Sequence, residues 1–418
     1  MFFAACCVLL LGILIGLNNT MAQSLVVGRD LFLKMDREPE LDPFVVAADS
    51  DQFVIAGDSP LAHIGWAMKV DATGKVIWTY TIGLFADDIP AFRGILFSPR
   101  ISGAVAMPDG TTYLCGSMPR PPTQYSPGLL IHLDAAGQVL GTQFLIPKER
   151  NTHGIAHFSS CIKWDDGLAL VGQVQHSVRE GEDKQPYPKG RVYWAVIIGG
   201  DGQIKSETQI RPSVKFAGFD VGPIVRDPNS DASFVFSATD NISTEIVRAN
   251  TSGTAEVARQ LSGRFLLVRP VTSDGLLEIF GAFLSDAQTP TVTMLLDDQL
   301  KETSRAEGFL SPNIAARLAY RMPDRSLMLF DSGVEHSGAV YFSRVVHVAP
   351  DLRSEGYVDL SRDKIFDGGS IWAAAPTGNL GEFAVATLAA VHRLDAKTPP
   401  EPVAGFTRGA VLGFVQIK

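Results

Sequence analysis

Apolar and polar residues alternate in short runs along most of this chain, and Asp- and Gly-rich breaks separate the runs. The stretch GWAMKVDATGKVIW, from Gly65 to Trp78, alternates, breaks at DATG and then resumes. The stretch upstream of it, FVVAADSDQFVIAG, ends at Gly57 and has the same form. Alternation on both sides of such a break predicts a β-hairpin. The two stretches together therefore predict four consecutive strands, which we call A to D.

The four-strand unit returns along the rest of the chain. The second copy keeps both breaks, at 109–110 and 134–137, and the third copy keeps them at 166–167 and 201–202. The fourth and fifth copies are degenerate, and the seventh supplies strands A, B and C before the sequence ends. A four-strand unit that repeats about every 50 residues is typical of a β-propeller, in which each unit forms one blade.

The missing strand of the seventh copy has a candidate near the N-terminus. The strand-like run SLVVGRDLFL, at 24–33, precedes the first copy and has no partner within it. This run can pair with the seventh copy as its fourth strand. A ring of blades that is closed by its N-terminal strand has no exposed sheet edges. We therefore predict an all-β fold, a seven-bladed β-propeller of four-stranded antiparallel blades whose last blade is closed by the N-terminal strand. Six or eight blades are alternatives, as are a β-sandwich and two unrelated all-β domains.

The order Gly-x-Trp-x-x-Lys-Val-Asp-x-x-Gly-x-Val-x-Trp in the first copy resembles the repeats of secreted bacterial β-propellers of the delta-60 kind. The resemblance is close in the first copy and generic from the third copy on, so it implies the fold and implies no reaction. The signatures of WD and kelch repeats are missing. The five tryptophans occupy no common register, which disfavours a quinoprotein, and no cofactor is expected.

Composition and charge restrict the partners of the chain. It has 418 residues, of which 46% are hydrophobic, and a formal net charge of -9 with a pI of about 5.4. No run of Lys or Arg occurs anywhere in the sequence. Nucleic acid is therefore not an expected partner.

The N-terminal segment predicts export. Residues 2–17 form an apolar run, and small residues at Thr20 and Ala22 suit a cleavage site. We predict a signal peptide over 1–22, a single propeller domain over 23–418 and a periplasmic or extracellular bacterial protein. The alternatives are an uncleaved membrane anchor formed by 2–17 and a buried N-terminal helix. Cleavage would leave two cysteines, 115 and 161, and export would permit a disulfide that their spacing does not demand.

Long connections indicate which rim of the propeller would carry a site. The B–C and D–A connections lie on one rim, and three of them are long: 84–99, 175–191 and 361–370. Such connections often carry function. The first mixes Asp88 and Arg93 with phenylalanines, which suits binding at a channel mouth. The second is highly charged, and it would be either a solvated flap or a lid.

Strand A of each blade should border the central channel, so its residues can be compared by counting back from the A–B turn. Nine or seven residues before the turn stand five polar residues: Arg100, His157, Asp220, Arg317 and Ser370. Alternation would put both positions on one face of a strand. We expect these side chains, with nearby His153, to converge at the channel mouth. They would bind a small anionic or hydroxyl-rich ligand, or they would satisfy one another and trapped water.

Three functions are consistent with this pattern. The leading one is a non-enzymatic exported propeller that binds a ligand or a protein partner on its long-loop face. The alternative is a hydrolase or lyase for a carbohydrate- or lactone-type substrate, with His157 as general acid or base and the two arginines, Arg100 and Arg317, holding an anion. The third is a structural module of an envelope assembly. The DPNSD stretch at 227–231 lacks the remainder of a calcium loop, so no metal site is expected.

Overall fold

The architecture is all-β. The computed structural model describes residues 25–33, 42–49, 51–59, 64–83, 99–118, 125–148, 153–177, 190–213, 220–240, 242–271, 277–283, 290–308, 310, 316–334, 341–360, 370–391 and 407–417. Within these ranges the chain forms strands, turns and irregular connections, and no helix. The described part of the chain accordingly contains no helix that could cross a membrane. The predicted signal segment, 1–22, lies outside the described residues.

The first strand, β1 (Leu25–Leu33), belongs to the last sheet of the chain. Three antiparallel four-stranded sheets follow, which we call blades one to three. Blade one contains β2 (Asp42–Asp49), β3 (Gln52–Ser59), β4 (Ile64–Asp71) and β5 (Val76–Gly83). Blade two contains β6 (Arg100–Ala106), β7 (Thr112–Ser117), β8 (Gly128–Leu133) and β9 (Val139–Leu145). Blade three contains β10 (His153–Trp164), β11 (Gly167–Ser177), β12 (Gly190–Ile198) and β13 (Ile204–Ile210).

The middle of the chain forms a seven-stranded sheet, which we call the curled sheet. Its first four strands are β14 (Asp220–Arg226), β15 (Ser233–Thr239), β16 (Ser243–Asn250) and β17 (Ala255–Leu267). After β17 the chain leaves this sheet for a two-residue strand, β18 (Arg269–Pro270), which pairs with a strand of the next sheet. The last three strands of the curled sheet are β19 (Leu277–Phe283), β20 (Thr291–Leu296) and β21 (Glu302–Gly308).

Two further blades complete the molecule. The penultimate blade adds β18 to β22 (Ala316–Arg321), β23 (Leu327–Val334), β24 (Tyr341–Val348) and β25 (Ser354–Asp359). The closing blade contains β26 (Ser370–Pro376), β27 (Glu382–Val391) and β28 (Thr407–Ile417), and β1 is its fourth strand. The antiparallel pairing of β1 with β28 runs from Leu25 opposite Ile417 to Leu33 opposite Ala410. The N-terminal strand therefore closes the last blade, as the sequence predicts.

The innermost strands form a closed ring around a central channel. Going round the ring, β26 contacts β2, β2 contacts β6, β6 contacts β10, and β10 contacts β14. Beyond it, β14 contacts β17, β17 contacts β22, and β22 returns to β26. The sheets are thus arranged as the blades of a β-propeller, with five separate blades and the curled sheet.

The curled sheet differs from the separate blades that the sequence predicts. Its strand β17 runs without a break from the fourth repeat into the fifth. Residues Ala255 to Ser262 of this strand pair with β16, and residues Gly263 to Leu267 pair with β19. The change of partner occurs at Gly263, which has a φ of 136° that side-chain-bearing residues rarely adopt. A single bent strand therefore joins what would otherwise be two sheets.

The tight turns carry the Asp/Gly breaks of the repeat. Asp71 accepts hydrogen bonds through Oδ1 from the backbone N–H groups of Thr73 and Lys75, and Gly74 has a φ of 87°. A side-chain oxygen that bonds nearby N–H groups fixes the turn, and glycine supplies the positive φ. Asp134 and Asp297 make the same bonds in later copies. These turns are structural.

Candidate functional site

A β-bulge interrupts the innermost strand in six of the repeat units, on the wall of the channel. The extra residue or residue pair lies at Phe44, Ser102, Ser159, Gly222–Pro223, Arg317 and Trp372. A bulge breaks the alternation of side chains along a strand. The expectation that positions nine and seven before the turn share a face therefore does not hold across the bulge. Arg100 and His157 each lie two residues before a bulge, whereas Arg317 is itself a bulged residue.

Glycines in the second strand of three units identify equivalent positions on the first strand. A β-carbon on Gly116 would lie 1.8 Å from the carbonyl oxygen of Arg100, and one on Gly172 would lie 1.9 Å from that of His157. A β-carbon on Gly281 would lie 2.1 Å from the carbonyl oxygen of Arg264. The same close approach recurs three times, so Arg264 is the counterpart of Arg100 and His157 in the second half of the curled sheet. The sequence analysis missed this residue.

The residues at this level lie toward the end of the innermost strands that faces the long connections, although His157 and Arg264 are not the first residues of β10 and β17. We call Arg100, His157, Asp220 and Arg264 the mouth residues. Asp220 opens β14, two residues before the bulge that begins at Gly222. Ser370 opens β26 at the corresponding backbone position, two residues before its bulge.

Two of the other predicted residues can be followed only in part. The backbone of His153 opens β10, further toward the rim than His157. The side chains of His153 and Ser370 lie outside the described atoms. Asp88 and Arg93, in the connection at 84–98, lie outside the described residues altogether.

Arg100 and His157 interact across the boundary between blades two and three. Burial lowers the pKa of His157 to about 3, and the positive charge of Arg100 adds to the effect. His157 is partly exposed, and at neutral pH its imidazole is uncharged, with one nitrogen donor and one nitrogen acceptor. The guanidinium carbon of Arg100 lies 4.2 Å from the ring centroid of Phe44, a cation–π contact with blade one.

A second group of charges joins the two halves of the curled sheet to the penultimate blade. Burial holds the pKa of Arg317 below its usual range, and the neighbouring charge of Arg264 lowers it further, against the opposite effect of Asp220 and Asp331. The side chain of Arg317 is nevertheless exposed to solvent. Asp331, which is fully buried, pairs opposite Ala316 at the position where Gly116 stands in blade two.

A cavity of about 620 Å³ lies in the channel, further along the same strands. This volume is in the range of small-molecule pockets. Polar lining groups come from several blades, among them Ser102, Ser159, Arg226, Asp227 and Arg269. None of the four mouth residues lines this cavity, and neither does Arg317. The bulged residues 44, 102, 159 and 222 do line it, and each lies two residues beyond the level of the mouth residues.

Ion pairs lie at the end of the cavity away from the mouth residues, where Arg226 and Asp227 line it. Arg248 pairs with the buried carboxylate of Asp227, with 2.9 Å between Nε and Oδ2, and Arg226 pairs with Asp165 at 2.7 Å. Asp227 also accepts a hydrogen bond from the backbone N–H of Asn229, so the DPNSD stretch forms a tight turn. Among the described residues, no group of three or more His, Cys, Asp or Glu side chains could hold a metal ion.

Comparison with known proteins bears on the fold. No protein-family model matches the chain, and no curated protein matches it either. Among solved structures, the chain is similar to Raptor from Chaetomium thermophilum, with a TM-score of 0.51 and 10% identity over 92% of this chain and 29% of that one. The chain thus spans less than a third of Raptor.

Two further solved structures match nearly end to end. The β-propeller domain of the Trilobed protease from Pyrococcus furiosus has a TM-score of 0.46 at 9% identity, with 93% of this chain and 94% of that one covered. The aldose sugar dehydrogenase from Streptomyces coelicolor has a TM-score of 0.41 at 9% identity, with 94% and 98% covered. At these identities the similarity concerns the fold and carries no inference about function.

Proposed function

We propose that this protein is an exported seven-bladed β-propeller that binds a small anionic, hydroxyl-bearing ligand at the mouth of its channel and does not catalyse a reaction. The observation that carries the proposal is the equivalence of Arg100 and Arg264 on the innermost strands. Each arginine lies near the start of the pairing between the first two strands of its unit, and Arg317 lies next to Arg264. Three guanidinium groups at one concave rim favour an anion.

The charge balance at the mouth supports this reading. Among the described carboxylates, none lies within ion-pair distance of Arg100 or Arg264. The charge of Arg264 instead repels that of Arg317, and the carboxylates of Asp220 and Asp331 oppose this repulsion. A bound carboxylate, phosphate or sulfate would relieve this repulsion. The neutral imidazole of His157 can donate to or accept from a hydroxyl group of the same ligand.

Seven blades are supported by the buried clusters of the curled sheet. Val235 and Ile246, from its first half, pack with Phe265 and Ile279, from its second half, in one buried cluster. Similar clusters lie between the other neighbouring sheets, for example between Phe53 of blade one and Phe414 of the closing blade. The two halves of the curled sheet therefore face each other as neighbouring blades do, which supports counting them as two.

Binding is favoured over catalysis by the protonation state of His157. A general acid or base works best when its pKa is near the working pH. With a pKa of about 3, His157 is a weak base, and at neutral pH it is not the imidazolium that would serve as a general acid. The alternative of a hydrolase or lyase that uses this residue is therefore the weaker of the two functions. Export rests on the apolar run at 2–17.

Calorimetric titration tests the proposal. The probes are glucuronate, galactonate and phosphate, with uncharged glucose as the matched neutral probe. We expect one or more of the anions to bind, and the Arg100→Gln and Arg264→Gln variants to bind it at least about tenfold more weakly. Arg353→Gln is the control, because Arg353 is highly exposed and pairs with Asp351 at a turn of the penultimate blade.

The control variant should bind as the unaltered protein does. Equal affinity of all the variants for every anion would refute the mouth as the binding site. Turnover of glycosides or lactones by the unaltered protein that is lost in His157→Gln would instead support the enzyme.

A further inference from the structure

Two cysteines from neighbouring blades meet in the buried core. Cys115 lies on β7 of blade two and Cys161 on β10 of blade three, and their Sγ atoms are 2.7 Å apart. Cys115 is fully buried, and 7% of Cys161 is exposed. Two sulfur atoms at this separation are closer than non-bonded atoms normally pack. The two thiols are not bonded in the structure, and the sulfurs of a disulfide lie about 2.05 Å apart, so a small approach would join them.

A glycine makes room for the two sulfur atoms. Gly103 on β6 pairs opposite Cys115, directly after the bulge at Ser102. A β-carbon on Gly103 would lie 2.4 Å from Sγ of Cys115 and 2.9 Å from Sγ of Cys161, and either contact is too short for any side chain. The bulge and the glycine together create space for both sulfurs at the boundary between the blades. The thiol pair is therefore built into the backbone geometry of blade two.

We propose that Cys115 and Cys161 are a disulfide-forming pair that joins blade two to blade three when a small-molecule disulfide serves as oxidant. The thiolate of one cysteine attacks the oxidant, which forms a mixed disulfide and releases one small thiol. The thiolate of the other cysteine attacks the mixed disulfide at the protein sulfur and releases the second small thiol. Two protein thiols and one oxidant disulfide become one protein disulfide and two small thiols, so atoms and electrons balance.

Burial affects both the rate at which the disulfide forms and its resistance to reduction. Burial, with the neighbouring Cys161 adding to it, raises the pKa of the Cys115 thiol well above its ordinary value. Thiolate is the attacking form, so Cys115 should attack an oxidant more slowly in the folded, reduced protein than in the unfolded chain. Once formed, the bond is shielded from external thiols by the same burial. The inference does not depend on the ligand site at the channel mouth.

The test is peptide mapping of the full chain after refolding with oxidised glutathione. Trypsin leaves Cys115 in the peptide 101–148 and Cys161 in the peptide 151–163. We expect these two peptides to be joined under non-reducing conditions and separated by a reductant. Mapping also distinguishes this bond from any that involves Cys6 or Cys7. Two freely alkylated cysteines at 115 and 161 after this treatment would overturn the proposal.

Three variants give further tests of the disulfide. In the Cys115→Ala/Cys161→Ala protein, the melting temperature should not respond to the oxidant, whereas that of the unaltered protein should rise by about 4 °C or more. In Gly103→Ala, the joined peptide should be reduced in amount or absent. Gly141→Ala, where a β-carbon would have no neighbour within 4 Å, should form the bond normally. An equal thermal response of the unaltered and double-alanine proteins would also overturn the proposal.

Discussion

The backbone of Arg264 passes so close to Gly281 that a β-carbon on residue 281 would lie 2.1 Å from the carbonyl oxygen of Arg264. Gly116 stands in the same relation to Arg100 in blade two. In each case the glycine is on the second strand of a unit and the cation is on the first. The contact therefore couples the backbone position of each mouth arginine to a glycine on the neighbouring strand.

This relationship predicts that Gly281→Ala destabilises the protein. The added methyl group must displace backbone atoms of β17, because the carbonyl of Arg264 and the Cα of Phe265 both lie within 3 Å of it. Overpacking of this kind costs about 1–3 kcal/mol in the free energy of unfolding. Chemical denaturation checks the loss. Gly141→Ala is the control, and it should be neutral or slightly stabilising, because its methyl group would meet no atom within 4 Å. Equal stability of the two variants would contradict the prediction.

Much of the fold follows from local patterns that the sequence displays directly. The Asp/Gly breaks predict the tight turns, and the turn from Asp71 to Gly74 forms as expected. The run at 24–33 predicts the closing strand, and β1 pairs with β28. These features depend on residues near one another in the chain or on strand patterns with a period of two, which a sequence shows.

The mouth is less predictable because its register depends on insertions. Each bulge adds a residue to the strand, and no sequence pattern predicts where the bulge lies. Counting back from the turn therefore placed Arg317 at the level of Asp220, although Arg317 is the bulged residue of its own strand. Arg264 was missed for a related reason. Its strand continues the fourth repeat without a break, and its unit has a longer connection to the next strand. The glycine in EIFGA, Gly281, is the one sequence feature that could have indicated Arg264.

The interaction of Arg100 with His157 predicts a shifted titration. The pKa of His157 should be about 3 in the folded protein, which NMR titration of the histidine ring can measure. In Arg100→Met the pKa should rise, because a positive neighbour is removed, but it should remain below 6.5, because burial is the larger cause. A pKa near 6.5 in the unaltered protein would contradict both the burial of the ring and its neutral state at the mouth.

The same residue predicts a pH dependence of stability. Between pH 3 and 6.5 the unfolded state binds a proton at residue 157 that the folded state does not bind. The contribution of His157 to stability is therefore fully present above pH 6.5 and is lost as the pH falls toward 3. One such group changes the free energy of unfolding by at most about 1.4 kcal/mol per pH unit. Denaturation of His157→Gln across this range should show a shallower slope. If the free energy of unfolding of both proteins changes equally with pH, His157 does not contribute to the pH dependence.

A buried ion pair predicts that a single variant loses more stability than the double variant does. Glu278 and Arg321 join the curled sheet to the penultimate blade, and their exposed side-chain fractions are 4% and 22%. Nε of Arg321 donates to Oε2 of Glu278 at 2.8 Å. Arg321→Met leaves a buried carboxylate without this partner, which costs about 3 kcal/mol in the free energy of unfolding. Glu278→Leu/Arg321→Met should recover part of the loss, because no charge stays buried.

The control for this pair is Lys205→Met, which breaks the exposed pair with Asp201, whose partners are each 53% exposed. Solvent screens such a pair, so little change in stability is expected. Urea denaturation of the three variants, compared with the unaltered chain, measures all of these effects. A double variant that is less stable than Arg321→Met alone would show that the pair does not act through burial of charge.

Closure of the ring by β1 predicts that the first strand is required for a cooperative, monomeric propeller. A protein that begins at residue 34 lacks β1, so the backbone of β28 from Ala410 to Ile417 loses its partner. An unpaired edge strand is a template for pairing with another chain. We expect this protein to melt at a lower temperature than one that begins at residue 23, and to self-associate in light-scattering measurements. Addition of a peptide spanning 23–35 should restore both properties, because it can pair with β28 in the same register. Equal melting temperatures and masses for the two proteins would show that the ring does not depend on its N-terminal strand.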